Sequence, residues 1–156
     1  MVELPLARPS AVAVIRTPAN FLVEGRPAQD GLSYPGMLQL FGGHIEFGEN
    51  PEEPVETPER AICRELYEEL GLVLPEAPRL IRVGITESRN RLGEPVRRRV
   101  SLFHVALQNE IGLEMKIPGE LVRIPRSVQS IRVNKDHLTL FAYRSLLDSI
   151  ILMPGD

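Results

Sequence analysis

Three glutamates stand at positions 65, 68 and 69 of the stretch RELYEELGL (64–72). At about 100° per residue of helix, this spacing gathers their carboxylates within about 100° of arc. Ile62, Cys63, Leu66 and Leu70 fill the adjoining flank, so the acidic stripe runs beside the apolar one. Like charges three and four residues apart destabilise a helix by roughly 0.2–0.5 kcal/mol per pair, and Arg64, placed to pair with Glu68, cannot neutralise three. Clustered carboxylate oxygens are what a hard cation takes; Mg2+ in particular binds through one or two carboxylates, waters and substrate phosphates. Glutamate-rich helix faces are also common as merely solvated surfaces, so the stripe alone does not make a metal site.

The elements that must position this stripe follow from periodicity and capping. Thr57-Pro58 is a helix start and Gly71 stands where a left-handed C-terminal cap belongs, which predicts a helix over 58–70. A second helix is predicted from about Asp136 to Ile151, where LTLFAYRSLLDSIIL carries a wide apolar face. SAVAVIR (10–16), FLVEGRP (21–27), RLIRVGITES (79–88) and RRRVSLFHVAL (97–107) are strand candidates, and MLQLFGGHIEFGE (37–49) reads as a strand opening into a glycine loop. Strands before, between and after helices, with few βαβ units, imply an α+β fold with a mixed sheet sandwiched between helices.

Bulk properties narrow the function. The 156 residues, 43% hydrophobic and 25% charged, suit one domain over 1–156 with one continuous core. A net charge of −3 gives no overall basic field, so duplex DNA is not expected as a partner, and a polyanionic ligand must be met by local arginines or by metal. The single cysteine, Cys63, excludes an internal disulfide framework, no run approaches the roughly 20 apolar residues that span a bilayer, and MVELPLARPS lacks signal-peptide features. A cytoplasmic protein with no membrane partner is the expectation.

Taken with GGHIEFGE (42–49), the acidic helix resembles the Nudix family, whose box is written G-x5-E-x7-R-E-U-x-E-E-x-G-U with U aliphatic. Arg64, Glu65, Leu66, Glu68, Glu69, Gly71 and Leu72 match the second half at every fixed position, and Gly43 and Glu49 match the first. The halves lie too far apart: fourteen residues separate Glu49 from Arg64 where the family has seven. The excess coincides with a repeated phrase, ENPEEPV (49–55) followed by ETPERAI (56–62). Counted back from Arg64, the box spacing lands on Glu56, so Glu49 and Glu56 both remain candidates for the first glutamate. The extra residues, held from continuous helix by Pro54 and Pro58, are expected to form a short acidic bulge at the rim of the site.

The resemblance implies a Nudix fold and metal-dependent hydrolysis of a nucleoside diphosphate linked to another moiety, with Mg2+ or Mn2+ as cofactor and a nucleotide-type small molecule as partner. It implies Glu68 and Glu69 as metal ligands, Glu65 as a further ligand, the carbonyl of Gly43 as a backbone ligand, and Arg64 as the residue that orients the glutamates. For the general base, Glu65 is the first choice, with Glu120 in PGELVRIP (118–125) the leading candidate outside the box and Glu114 the next.

Arg89, Arg91, Arg97, Arg98 and Arg99 surround the connection RNRLGEP; the cluster can bind a diphosphate or a terminal phosphate, and strand-edge arginines can equally serve only to prevent edge pairing. Arg89, Arg91 and Arg98 are the substrate-binding candidates. His44, His104 and His137 show no metal spacing, His104 reads as a satisfied core residue, and Cys63 as inert packing. Two alternatives stay open: a catalytically impaired Nudix-fold module that binds nucleotide or regulates, and an acidic helix serving only as an interaction surface. A homodimer is compatible with any of these.

Overall fold

The computed structural model describes residues 3–28, 34–47 and 54–152. Its elements in chain order are β1 (Ser10–Arg16), β2 (Asn20–Gly25), β3 (Leu38–Gln39), β4 (Phe41–His44), α1 (Pro58–Leu70), β5 (Arg79–Arg89), β6 (Pro95–Ala106), β7 (Glu120–Pro125), α2 (Val128–Val133) and α3 (Leu140–Leu152). One seven-stranded mixed sheet organises them: β1 runs parallel to β6 and antiparallel to β2 and β4, β5 pairs with β6, and β3 and β7 flank β2.

SAVAVIR is apolar on both faces because β1 is covered on both. Ala11, Ala13 and Ile15 join the core under α1, with Ile62, Leu66, Leu70 and Phe103, whereas Val14 joins the core under α3, with Leu102, Leu138, Ala142 and Leu146. The sandwich of helix, sheet and helix is therefore present, and it is α+β as the element pattern implies. No described helix is long and apolar enough to cross a membrane.

α1 starts and stops where its capping residues predict. Thr57 accepts a hydrogen bond from the Arg60 amide at 3.2 Å, Pro58 sits in the first turn, and Gly71 ends the helix at φ 67°, its N–H reaching the Leu66 and Tyr67 carbonyls. α3 starts later than its apolar periodicity predicts. Leu38 N donates to the His137 carbonyl at 2.7 Å and Thr139 N to the Leu38 carbonyl at 2.9 Å, so 137–139 are drafted into a bridge with β3. The helix then begins behind Thr139, whose hydroxyl accepts from the Ala142 amide at 3.3 Å. Two elements were not expected. PGELVRIP, not among the strand candidates, contributes β7, paired with β2 along its length, and α2, capped by Ser127, is too short at 6 residues to show a helical period.

β3 and β4 act as one strand with a kink at Leu40. β1 and β2 pair only at Ile15↔Leu22 and Arg16↔Phe21; beyond that they diverge, and β4 pairs with the free part of β1 while β3 pairs with the free part of β2. The glycine loop is thereby wedged into the centre of the fold.

Candidate active site

Gly42 and Gly43 divide the site. In register, Gly43 shares a sheet face with Ala11, the face covered by α1, whereas Gly42 shares the opposite face with Val12. A side chain at Gly42 would meet backbone, whereas one at Gly43 would have to displace the end of the Glu65 side chain. A Cβ on Gly42, at φ 140°, would stand 2.2 Å from the Ala11 carbonyl oxygen, and one on Gly43 would stand 2.5 Å from Glu65 Oε1. The carboxylate of Glu65 thus lies directly on the backbone of the glycine loop.

Arg64 gathers the carboxylates of this face. Its Nη2 donates to Glu56 Oε1 at 2.7 Å and its Nε to Glu56 Oε2 at 3.0 Å, a forked pair. Nη1 donates to Glu65 Oε1 at 3.0 Å and to Glu68 Oε2 at 3.1 Å, and Nη2 also reaches the His44 carbonyl at 3.0 Å. The Glu56 hydrogen bond is the largest cause holding the guanidinium above its ordinary pKa, and the same bond holds the Glu56 carboxyl below its own. Glu56 Oε1 also accepts from the Glu46 amide at 2.8 Å, which ties the loop to the helix. Of the two glutamates left open by the sequence, Glu56 is the one joined to Arg64; Glu49 lies outside the described residues.

The insertion is closed at its neck. Phe47 and Pro54 form an antiparallel bridge, and Val55 N donates to the Glu46 carbonyl at 2.9 Å. The chain therefore leaves after Phe47, returns beside it at Pro54, and resumes in register with α1. Of the seven extra residues expected to form a bulge, 50–53 lie outside the described residues.

Glu69 is the most confined of the box carboxylates, 7% exposed, with Oε1 accepting from the Gly42 amide at 2.9 Å. Burial pushes its pKa up to about 8, the charges of Glu24 and Glu65 push the same way, and the Gly42 N–H opposes them. Burial likewise raises Glu65, opposed by Arg64. Glu68 is exposed. Glu24, which sequence reasoning missed, is 2% exposed on β2 and accepts from Gln39 Nε2 at 3.2 Å. Its signal was present: in NFLVEG, Leu22 faces the α1 core, and alternation puts Glu24 on that same inward face.

Among the described residues no three His, Cys, Asp or Glu side chains form a ready cage for a metal ion. Arg64 holds Glu65 and Glu68 instead, and its guanidinium is the cation among them. The donor set nevertheless fits Mg2+ or Mn2+ on its chemistry. All its side-chain donors are hard oxygens, burial and mutual repulsion disfavour the charged forms of Glu65 and Glu69, and the side-chain-free backbone of Gly43 lies against Glu65.

On the opposite face lies a cleft of about 650 Å³ that reaches Gly42 and Gly43 and is lined by β5 and β6 and the start of α3. Alternation sorts the three consecutive arginines of β6. Arg98 faces the cleft, with its guanidinium on the Arg8 carbonyl and at 3.0 Å from His44 Nε2. Arg97 faces the other way, to Glu3 at 3.1 Å and the Leu4 carbonyl at 3.0 Å, and Arg99 is exposed opposite Ile85. Arg89 lines the cleft and donates to the Gly93 carbonyl at 2.6 Å. Arg91, in the turn between β5 and β6, is not among the residues lining the cleft, although its charge acts on His44, which is. Arg26, Arg82 and Arg144 line the cleft and were not singled out by the sequence.

The remaining candidates separate clearly. Glu114 pairs with Lys116 at 3.1 Å; Glu120 is exposed at the start of β7 opposite Gly25, beside the register partner of Glu24. His104 Nε2 accepts from Arg16 Nε at 2.8 Å, and its pKa is pushed down to about 4, first by burial and then by the neighbouring arginines, which makes it the satisfied neutral core histidine expected. Cys63 packs partly buried against the α1 core, and burial pushes its thiol up, away from the reactive thiolate.

No family model matches the chain, and no curated protein sequence does. Solved structures do. A MutT NUDIX hydrolase from Burkholderia pseudomallei aligns at 24% identity over 89% of this chain and 95% of its own, with a TM-score of 0.59. A MutT protein from Methanosarcina mazei Go1 aligns at 19% identity over 100% of both chains, with a TM-score of 0.66. The E. coli dihydroneopterin triphosphate pyrophosphohydrolase aligns at 20% identity over 97% of this chain and 99% of its own, with a TM-score of 0.62. The acidic helix, the glycine loop wedged between β1 and β2, and the mixed sheet between helices are thus parts of one known architecture: the chain has the Nudix fold.

Proposed function

We propose that this protein is a pyrophosphohydrolase that uses Mg2+ or Mn2+ to cleave a nucleoside diphosphate linked to another moiety. The observation that carries the proposal is the meeting, at Gly42–Gly43, of a crowded carboxylate face with an arginine-lined cleft. Neither half is at rest by itself, and a divalent cation with a diphosphate satisfies both. Glu65, Glu68 and Glu69, with the Gly43 carbonyl, are the proposed metal ligands, and buried Glu24 adds negative charge behind them. A bound cation of this kind neutralises phosphoryl oxygens and acidifies the attacking water.

The chain's own residues divide the remaining work. Arg64 positions Glu65 and Glu68 through its paired hydrogen bonds and is itself fixed by Glu56. Arg98 and Arg89 are proposed to hold phosphoryl oxygens, since their nearest acceptors are neutral and leave the positive charge available. Glu65 is the first choice to receive the proton of the attacking water, because burial holds its pKa above the ordinary carboxylate range while Arg64 fixes its place. Glu120 is the alternative base.

A screen of ADP-ribose, NADH, dinucleoside polyphosphates, triphosphorylated RNA ends and nucleoside triphosphates, each with Mg2+ and with Mn2+, tests the proposal. Turnover of at least one, abolished by EDTA, is expected. Absence of turnover together with no metal-dependent change in melting temperature would defeat it; nucleotide binding without turnover would favour the impaired binding module.

A further inference from the structure

We infer that the cleft is built for a substrate that carries a phosphomonoester in addition to its scissile diphosphate, with Arg82 and Arg144 gripping that second phosphate. The inference deepens the hydrolase reading and rests on it for the position of the diphosphate.

Charge is the first observation. Among the described residues the cleft lining includes Arg26, Arg82, Arg89, Arg98 and Arg144 and one carboxylate, Glu87, with Arg26 also paired to Glu24 and Arg82 to Asp148, in a chain of net charge −3. A single diphosphate does not need so many guanidinium groups.

Sheet register supplies the second. Gly42, Val12, Leu102 and Arg82 are successive partners across β4, β1, β6 and β5, so they form one row across the cleft floor. Three strand spacings put the Arg82 backbone about 14 Å from that of Gly42. The next row, His44, Ser10, Val100 and Gly84, runs beside it, and nothing stands within 4 Å of where a Cβ on Gly84 would be. The floor between the two ends is therefore open and carries no charge of its own except at the rim. Arg98, held beside His44, serves the Gly42–Gly43 end.

The third observation concerns what holds the far arginines. Arg82 Nη1 lies 3.1 Å from Asp148 Oδ2, so its guanidinium is drawn onto α3. Arg144 stands one helical turn before Asp148 on the same helix, lines the cleft, and has no ion-pair partner among the described residues. Both members of the Arg82–Asp148 pair are nearly half exposed, with side chains 47% and 43% accessible, so the pair is weak enough for an incoming dianion to share it. A diphosphate seated at Gly42–Gly43 does not reach this end; a second phosphate across a nucleoside does. Two guanidinium groups suit the dianion of a phosphomonoester, which each can engage through paired N–H donors.

The test is calorimetric binding of adenosine 2′,5′-bisphosphate and of 5′-AMP to the full chain, with and without the substitutions Arg82→Gln and Arg144→Gln. These probes differ by one phosphomonoester and need no hydrolysis. The bisphosphate is expected to bind at least about tenfold more tightly, and the doubly substituted chain to bring the ratio close to one. Equal affinities in the unsubstituted chain, or a preference that survives both substitutions, would overturn the inference whatever the substrate screen returns. A preference that collapses as expected in a protein that hydrolyses nothing would leave the phosphate site standing and remove the hydrolase reading.

Discussion

The two faces of the sheet treat charge in opposite ways, and the boundary between them is one peptide bond wide. Behind Gly43, the α1 face holds Glu24, Glu56, Glu65, Glu68 and Glu69, with Arg64 tying Glu56, Glu65 and Glu68 together. Beyond Gly42, the cleft face is lined by arginines, of which Arg89 and Arg98 are held by backbone carbonyls and a histidine, and Arg26 and Arg82 by single carboxylates. Each arrangement repels itself and is costly to keep without a function. On the proposed function the difference gives the ligand its place: a cation on the first face and a polyanion on the second would meet at the glycine pair, where no side chain comes between them.

The sharpest way to break the comparison is Glu69→Gln. The amide oxygen can still accept the Gly42 N–H, so the loop stays tethered while the carboxylate charge is removed. Activity is expected to fall at least about 100-fold, as for loss of a metal ligand or its close support. Stability should move the other way. Glu69 has its folded pKa raised to about 8 from an ordinary 4.5, so the folded state holds a proton that the unfolded state releases first. The metal-free protein should therefore be most stable below about pH 4.5 as far as this group is concerned, and lose that contribution as pH rises toward 8, with a total on the order of a few kcal/mol. Melting curves of the metal-free protein across this range should show the fall, Glu69→Gln should flatten it, and added Mg2+ should reverse it.

Next in size is Arg64→Ala. Removing the guanidinium frees Glu56, Glu65 and Glu68 at once, and a loss of activity of about 10–100-fold is expected, the usual range for a residue that orients ligands. Glu56→Gln should act in the same direction and less, because Arg64 keeps its bonds to Glu65, Glu68 and the His44 carbonyl. If the two substitutions were equal in effect, Glu56 would be needed for more than positioning Arg64.

Gly43→Ala gives a smaller effect and a cleaner separation. The new Cβ would meet only the far end of the Glu65 side chain, which can swing aside, so the change in stability should stay within about 1 kcal/mol. Activity should still drop about tenfold, since a displaced Glu65 carboxylate is misplaced by an appreciable part of an ångström where catalysis is sensitive to such shifts. Thermal melting and kcat/KM measured on the same sample distinguish this from simple destabilisation.

Much of this site was legible in the residues, and the illegible parts have physical reasons. α1 was fixed by Thr57, Pro58 and Gly71, all local capping signals, and β1 and β6 by apolar runs that tertiary contacts reinforce. Arg98 could have been separated from Arg97 and Arg99 by alternation alone, because Val100 and Leu102 lie on its face. Glu24 announced itself as a charge on an inward position, but only to a reader who knew which face was inward. The start of α3 was not legible, since Leu138 and Thr139 leave the helical pattern for a bridge to Leu38, a contact 100 residues away in sequence. The choice between Glu49 and Glu56 was not legible either: both copies of the phrase satisfy the same local rules, and it is a tertiary contact, the fork with Arg64, that marks Glu56.

That last ambiguity leads to the smallest expected effect. Deleting residues 50–56 joins Glu49 to Thr57, and deleting 49–55 joins Gly48 to Glu56; the two operations give the same chain, so no experiment of this kind has to choose which glutamate is native. The product has seven residues between that glutamate and Arg64. The deletion removes Pro54 and Val55, and with them the neck contacts to Phe47 and the Glu46 carbonyl, so its tolerance rests on the retained glutamate holding both the Glu46 amide and Arg64 as Glu56 does in the full chain. Shortening a loop of this size changes closure entropy by well under about 1 kcal/mol. The shortened protein should therefore melt within a few degrees of the full chain and keep kcat/KM within about threefold, the retained glutamate taking the Arg64 fork. A large loss of activity that Glu56→Gln does not reproduce would mean that the inserted residues themselves touch the substrate, and the acidic face would then extend further around the cleft mouth than α1 alone carries it.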